Sequence, residues 1–168
     1  MRKAAPLTLF FFLSLMPASI VAAQTIGGLS LDALIEPLND GLPVTRAMAA
    51  MQLAACRVRC TAALPAVRQK FAEGNDETMV NVALSRAIVC LDPQGDVSDI
   101  VDYLIRVVDG GLNGQDDRQL ERAIQALGEA GPRASVAIPV LQAAQNHWAG
   151  SVKNDAFAAL QKIQGGRY

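Results

Sequence analysis

One segment, residues 122–145 (RAIQALGEAGPRASVAIPVLQAAQ), restricts the fold more than any other part of the chain. It predicts an amphipathic helix, a tight corner at Gly131-Pro132, and a second helix with a proline in its first turn. The opening of the segment recurs in related form: RAMAAM at 46–51, RAIVCL at 86–91, RAIQAL at 122–127 and DAFAAL at 155–160. These starts are 40, 36 and 33 residues apart, a period typical of stacked helical hairpins.

The recurring signature also predicts how the copies pack. Its small second residue allows neighbouring helices to approach closely, and the following bulky residue is expected in the core, where full burial contributes roughly 1.5–3 kcal/mol. The small residues are Ala47, Ala87, Ala123 and Ala156, and the bulky ones are Met48, Ile88, Ile124 and Phe157. Because one hairpin cannot bury its own apolar face, each copy should be stabilised by its neighbours.

Apolar spacing and capping residues predict the remaining helices. A short helix capped by Ser30 should cover the start of the array, and Thr61 and Ser151 are expected to cap later helices. The predicted hairpins are 44–56 with 62–73, 78–91 with 97–108, and 119–130 with 133–146, followed by a last helix at 152–164. Residues 109–117 (DGGLNGQDD) should form the longest loop and end in a capped helix start.

The amino terminus has the pattern of a secretory signal peptide at residues 1–23. A basic start precedes an apolar run of about ten residues, too short for the roughly 20 residues that span a bilayer, and small residues precede Gln24. We therefore expect a periplasmic or secreted protein without stable membrane insertion after cleavage. Its domains would be an amino-terminal segment with a capping helix (24–43), a repeat domain (44–164) and a tail (165–168).

Charge argues against nucleic-acid binding, which requires clustered positive charge. The predicted leader carries two of the 15 basic residues, so 13 remain against 16 acidic residues, a formal net charge of −3. A local basic patch of Arg57, Arg59, Arg68 and Lys70 could receive an acidic partner or be a solvated surface. Trp148 could be an exposed binding anchor or could pack under the last helix.

Three cysteines follow the predicted leader, and an oxidising compartment permits one disulfide. If neighbouring first helices are parallel and in step, Cys56 and Cys90 lie six positions out of register. That offset is roughly 9 Å, beyond the ~7 Å that a disulfide can bridge between Cα atoms. Cys56–Cys60 is therefore the favoured pair, with no disulfide as the alternative. Cys90 occupies a position that is alanine in the other copies, where a free thiol acts as a small hydrophobic residue.

The sequence offers few groups for catalysis or metal binding. His147, the single histidine, follows a helix, and a capping or surface role there is expected rather than a nucleophile pair. The 109–117 loop is rich in oxygen ligands, yet its spacing is not that of an EF-hand. We predict no catalytic, cofactor-binding or metal-binding residue.

Residues 126–144 (ALGEAGPRASVAIPVLQAA) resemble the HEAT-repeat family, especially the short HEAT-like units first noted in phycobilin lyases. The resemblance extends over about 44–163, although the Gly-Pro corner is absent at Arg57-Val58 and altered at Asp92-Pro93. It implies an all-α, right-handed α-α superhelix of about three helix pairs with a capping helix at each end. Such arrays usually bind proteins, and a few act on bilins.

The leading hypothesis is a non-enzymatic scaffold that offers the surface of its second helices to another exported protein. A rival hypothesis is a chromophore-handling or lyase-like factor, which would depend on a cysteine or on His147. A third is a purely structural envelope protein.

Overall fold

The computed structural model describes residues 25–26, 29–74, 77–114 and 116–165. Residues 1–24, which include the predicted signal peptide, and residues 27–28, 75–76, 115 and 166–168 lie outside this part of the chain. The fold is all-α apart from a two-residue antiparallel pairing of β1 (Thr25–Ile26) with β2 (Leu29–Ser30). The helices are α1 (Leu31–Ile35), α2 (Pro43–Cys56), α3 (Leu64–Glu73), α4 (Thr78–Leu91), α5 (Ser98–Gly111), α6 (Asp117–Ala130), α7 (Ile138–Ala144) and α8 (Gly150–Ile163). Short 3-10 segments are Glu36–Asn39, Arg57–Ala63 and Gly131–Ala137.

The helices follow one another in the predicted order, but each second helix packs mainly against the first helix of the following pair. The first helices α2, α4, α6 and α8 pack in a row, each against the next, whereas α3 packs on α4, α5 on α6 and α7 on α8. At the amino end, α1 and the 3-10 segment that follows it lie against α2. The central helix α4 has 11 of its 14 residues buried, so it is the middle of a single hydrophobic core.

Some predicted boundaries were wrong. The helix α5 continues through Gly111, with Leu112 N donating to Val108 O, so Asp109–Gly111 are helical rather than loop. Both α3 and α7 begin later than predicted, because a 3-10 segment precedes each of them and each has a proline in its first turn. Every helix long enough to compare is otherwise found within a few residues of its predicted place.

The predicted caps had mixed outcomes. Ser30 caps α1 by accepting from Ala33 N at 3.2 Å. Thr61 does not cap α3, because the chain at Thr61 already lies in the 3-10 segment that precedes this helix. Its hydroxyl instead donates to Val58 O at 2.7 Å. Ser151 lies inside α8, whose first turn is preceded by Ala149 without a side-chain cap.

The four predicted small contact residues are all buried. Close helix approach is clearest at Gly128, where an added Cβ would lie 3.0 Å from the Cα atom of Ala159. Of the predicted bulky core residues, Ile88 and Ile124 are fully buried, whereas Met48 and Phe157 are 52% and 56% exposed.

Phe157 is exposed because α8 is at the end of the described row of first helices. Counted from the helix starts, Phe157 in α8 corresponds to Ile124 in α6. The side chain of Ile124 is covered by the packed array, whereas no further helix lies beyond α8 in the described chain. Its assignment to the core was therefore wrong.

Met48 is exposed because the signature RAMAAM does not begin at the same position of α2 as RAIQAL does of α6. Arg57 ends α2 with φ 54° and ψ −142°, and Gly131 ends α6 with nearly the same angles, 60° and −140°. Aligning these corners pairs residues 48–53 (MAAMQL), rather than 46–51, with RAIQAL at 122–127. Met48 then corresponds to Arg122 and points outward, whereas Leu53 corresponds to the buried Leu127.

The hairpins create two edges. The corner edge contains the ends of the first helices, at residues 57–61, 92–97 and 131–133, and the loop edge contains residues 112–114 and 145–149. At the corner edge the Thr61 hydroxyl, which donates to Val58 O, lies 3.2 Å from Leu91 O, and Arg133 Nη1 donates to Asp92 O at 2.7 Å. These contacts connect each corner to its neighbour. In the described residues no helix is both long and apolar enough to cross a membrane.

Candidate functional site

The outward surfaces of the first helices form one continuous surface, which we call the first-helix face. Each first helix has 14 residues, and its second, sixth, ninth and thirteenth residues point to this surface. From α2 to α8 these residues are Val44, Met48, Met51 and Ala55; Met79, Ala83, Arg86 and Cys90; Arg118, Arg122, Gln125 and Glu129; and Ser151, Asp155, Ala158 and Lys162.

The α2 part of this face is apolar and exposed. Val44 is 59% and Met48 52% exposed, Met51 is half-buried, and Ala55 is exposed. The single charged residue of α2, Arg46, turns aside, with its Nη1 donating to Asp40 O at 2.8 Å. Exposed apolar positions spaced by four, three and four residues are typical of a helix that packs against another helix.

The α4 part has one charged residue, Arg86, and the α6 part is polar; side-chain contacts join the two. Arg86 donates to Glu129 through Nη2 to Oε1 at 2.5 Å and through Nε to Oε2 at 3.3 Å. The Cys90 thiol donates to the same Oε2 at 2.7 Å. Further along, Gln125 Nε2 donates to Asp155 Oδ2 at 2.9 Å, which links α6 to α8.

The surroundings of Cys90 keep its thiol protonated. Burial and then the hydrogen bond to Glu129 raise the pKa of Cys90 to about 12. Although burial acts in the opposite direction, hydrogen bonds from Arg86 and Cys90 lower the pKa of Glu129. The pKa of Arg86 is raised, chiefly by its hydrogen bond to Glu129. Since the thiolate is the reactive form, Cys90 is a poor nucleophile at neutral pH.

A cleft of about 510 Å³ lies where the first-helix face meets the corner edge, and Arg57, Cys90, Glu129 and Arg133 are among its lining residues. The guanidinium of Arg133 is occupied by backbone carbonyls, including Val89 O at 3.2 Å. Arg57 is exposed and lowers the pKa of both Cys90 and Glu129 by its charge. The cleft therefore has a positive mouth and a neutralised interior.

The predicted disulfide between Cys56 and Cys60 is present, with a Cα–Cα distance of 5.6 Å. It closes around Arg57, Val58 and Arg59, all of which are exposed. The third corner has the same backbone with alanines at the two cysteine positions and Gly131 in place of Arg57, so this turn forms without a disulfide where a glycine takes the positive φ.

The structure does not assemble the predicted basic patch as one free surface. Arg68 donates to Asp96 O at 2.7 Å and lies 3.8 Å from Asp92, and Lys70 pairs with Glu73 at 2.9 Å. Of these four predicted residues, only Arg57 and Arg59 are exposed, and both lie at the corner edge.

Trp148 is 76% exposed, so of its two predicted alternatives packing under the last helix was wrong, and its role as a binding anchor stays a prediction. It lies on the loop edge, at the opposite end of the hairpins from Arg57 and Arg59. His147 is buried rather than on the surface: its Nδ1 accepts from Ala149 N at 3.2 Å, and its Nε2 lies 3.9 Å from Asp117 Oδ1.

A second cleft, of about 470 Å³, lies between α5 and α6 at the loop edge. Tyr103 and Arg106 line it, and the Tyr103 ring packs edge-on against Phe71 with centroids 5.4 Å apart. The described chain brings together no group of three or more histidine, cysteine, aspartate or glutamate side chains able to hold a metal ion.

The fold and this face together define a class, an all-helical protein whose first helices pack in a row and present a partly apolar surface. No family model, curated protein or solved structure matches the chain. Its function therefore has to be argued from the face itself.

Proposed function

We propose that this protein is an exported HEAT-like repeat scaffold that binds another protein through its first-helix face. The row of first helices and the repeated corner geometry of Arg57 and Gly131 support a superhelical array. The amino-terminal pattern and the Cys56–Cys60 disulfide support the periplasm or the cell exterior, where disulfides persist.

The observation that carries this proposal is the uncharged, exposed stripe on α2. Soluble proteins rarely expose contiguous apolar surface unless it binds something. Sequence reasoning favoured the second helices instead, but in the described residues none of the exposed large hydrophobic side chains lies on α3, α5 or α7. The binding surface is therefore better assigned to the first helices.

Crosslinking in native cells tests the proposal. A photoreactive residue replacing Met48 should crosslink to a discrete protein, because this side chain lies at the centre of the stripe. The same residue replacing Gln142, which is exposed on α7, is the control and should give no discrete adduct. Absence of an adduct at Met48, or the same adducts at both positions, would contradict the assignment.

The chromophore-handling alternative would use Cys90, the free thiol in the cleft. Its raised pKa speaks against covalent attachment at neutral pH. The intact mass of the protein from its native cells decides this point, since a pigment adduct on Cys90 would add the mass of the pigment.

A further inference from the structure

We propose that the segment bound by the first-helix face is an amphipathic helix whose flank beside α6 is acidic. This inference rests on the proposed function and identifies the chemistry of the partner. Three adjacent strips of the face carry it, contributed by α2, α4 and α6.

The first strip provides the apolar contact. On α2, Val44, Met48 and Met51 are one turn apart, and an incoming helix with apolar residues at the same spacing can pack along them. Methionine side chains adapt to the shape of a partner, which suits such a surface.

The second strip, on α4, leaves room for the bound helix to lie between α2 and α6. On α4 the face positions Ala83 and Cys90 are small and only 6% exposed, in contrast to the exposed Met48 and Ala55 on α2. The helix α4 is therefore the most deeply buried part of the face. Its charged face residue, Arg86, is already neutralised by Glu129.

The third strip supplies positive charge. Arg118 is exposed and Arg122 is half-buried, one turn apart on α6, and neither makes a side-chain hydrogen bond or an ion pair with another described residue. The neighbouring Glu121 lies on the α8 side of α6, the side on which Gly128 contacts Ala159. The α4 side of α6 therefore presents two arginines that pair with no carboxylate in the described part of the chain, and carboxylates on the adjacent flank of the bound helix would pair with them.

A narrow stripe with charge on one side fits a helix better than a membrane surface, which would contact a broader apolar area. Association of two copies through the same stripe is a separate outcome, which light scattering distinguishes in the test below.

Two labelled synthetic helical peptides with the same leucine stripe, spaced by four and three residues, test this inference. One peptide carries glutamates on both flanks of the stripe and the other carries lysines. Either orientation of the bound peptide then places the same charge beside α6. In fluorescence anisotropy at low salt the glutamate peptide should bind about tenfold more tightly, and salt should reduce the difference.

Two pairs of variants make the assignment specific. Arg118→Glu with Arg122→Glu should invert the preference, whereas Arg59→Glu with Lys153→Glu makes the same change in net charge away from the face and should not. Met48→Glu should weaken both peptides, whereas Val136→Glu, at another exposed apolar position, should not.

Equal affinity for the two peptides, or binding that Met48→Glu leaves intact, would overturn the inference. So would light scattering that shows Met48-dependent dimers, or tighter binding to lipid vesicles than to either peptide. If the peptides fail while a probe at Met48 still crosslinks to a protein in cells, the scaffold function stands and only this partner chemistry falls.

Discussion

At the scale of single residues, the corner at Arg57 shows how one fold tolerates different side chains. Arg57 adopts a backbone conformation, φ 54° and ψ −142°, that its counterpart Gly131 adopts as a glycine. A side chain in this region is strained by about 1–3 kcal/mol. The disulfide that encloses Arg57 helps to hold it there.

Arg57→Gly should therefore stabilise the protein by about 1 kcal/mol, since relief of strain exceeds the extra entropy that glycine gives the unfolded chain. Urea denaturation followed by circular dichroism measures this. Arg59→Gly, one corner position with an ordinary φ, is the control and should not stabilise. A destabilised Arg57→Gly would show that the arginine side chain holds the corner.

The contact between Cys90 and Glu129 predicts how a substitution at Glu129 changes the reactivity of the Cys90 thiol. Because both the hydrogen bond and the charge of Glu129 raise the pKa of Cys90, Glu129→Gln should lower it. The pH profile of iodoacetamide alkylation should move to lower pH, while Glu121→Gln, elsewhere on α6, leaves it unchanged. A faster rate without a shifted profile would indicate greater access instead.

In the native protein the stabilising effect of the neutral thiol is present below pH 9 and is lost as pH rises towards about 12.

At the scale of helices, close approach and corner closure determine the packing. Gly128→Ala places a Cβ atom 3.0 Å from the Cα atom of Ala159, so α6 and α8 must separate. We expect a loss of about 1–3 kcal/mol in the free energy of unfolding. Gly110→Ala, in α5 with nothing within 4 Å of the new atom, is the matched control and should stabilise by up to about 1 kcal/mol.

Replacing both Cys56 and Cys60 with alanine copies the third corner. The double variant should keep the turn and lose roughly 2 kcal/mol, the value expected for a short closed loop. Comparing denaturation of the native protein with and without reductant, in a Cys90→Ala background, isolates the bond. Loss of the helical circular dichroism signal would instead mean that the disulfide is required for folding.

Helix prediction succeeded where apolar spacing was unambiguous and failed where it was not. The segment 78–91 was predicted at its true bounds because its apolar residues recur at helical spacing throughout. The first two copies were misaligned: RAMAAM begins at the fourth residue of α2 and RAIVCL at the ninth of α4, whereas RAIQAL and DAFAAL begin at the sixth residues of α6 and α8. Cys90 therefore corresponds to Glu129 in α6, and the predicted correspondence with alanines in the other copies was wrong. The α2 stripe was missed for this reason: Met48 was assigned to the core, although an uncharged set at 44, 48, 51 and 55 was visible.

At the scale of the whole molecule, the single core predicts cooperative unfolding. Leu127 is fully buried on α6 between neighbouring first helices, so Leu127→Ala should cost about 2–5 kcal/mol. The chain's one tryptophan, Trp148, lies on the loop edge and provides a second probe. Fluorescence and circular dichroism should report one coincident transition. Leu42→Ala, at a leucine that is 66% exposed, is the control, and two separate transitions would contradict a single stack.

The order and approximate bounds of the helices were predictable from apolar spacing, but the site was not, since it depends on which helix ends the described row and on neighbours across the face. His147 and Phe157 illustrate this: one is buried by α6 and the other exposed by the end of the row, and neither outcome is encoded in local spacing.

The two ends of the row differ. The amino end is covered by α1, whereas α8 presents Phe157 to solvent. Within the described chain, a further helix packed on α8 would cover Phe157 and displace no existing helix. A helix added on the other side of α2 would first have to displace α1.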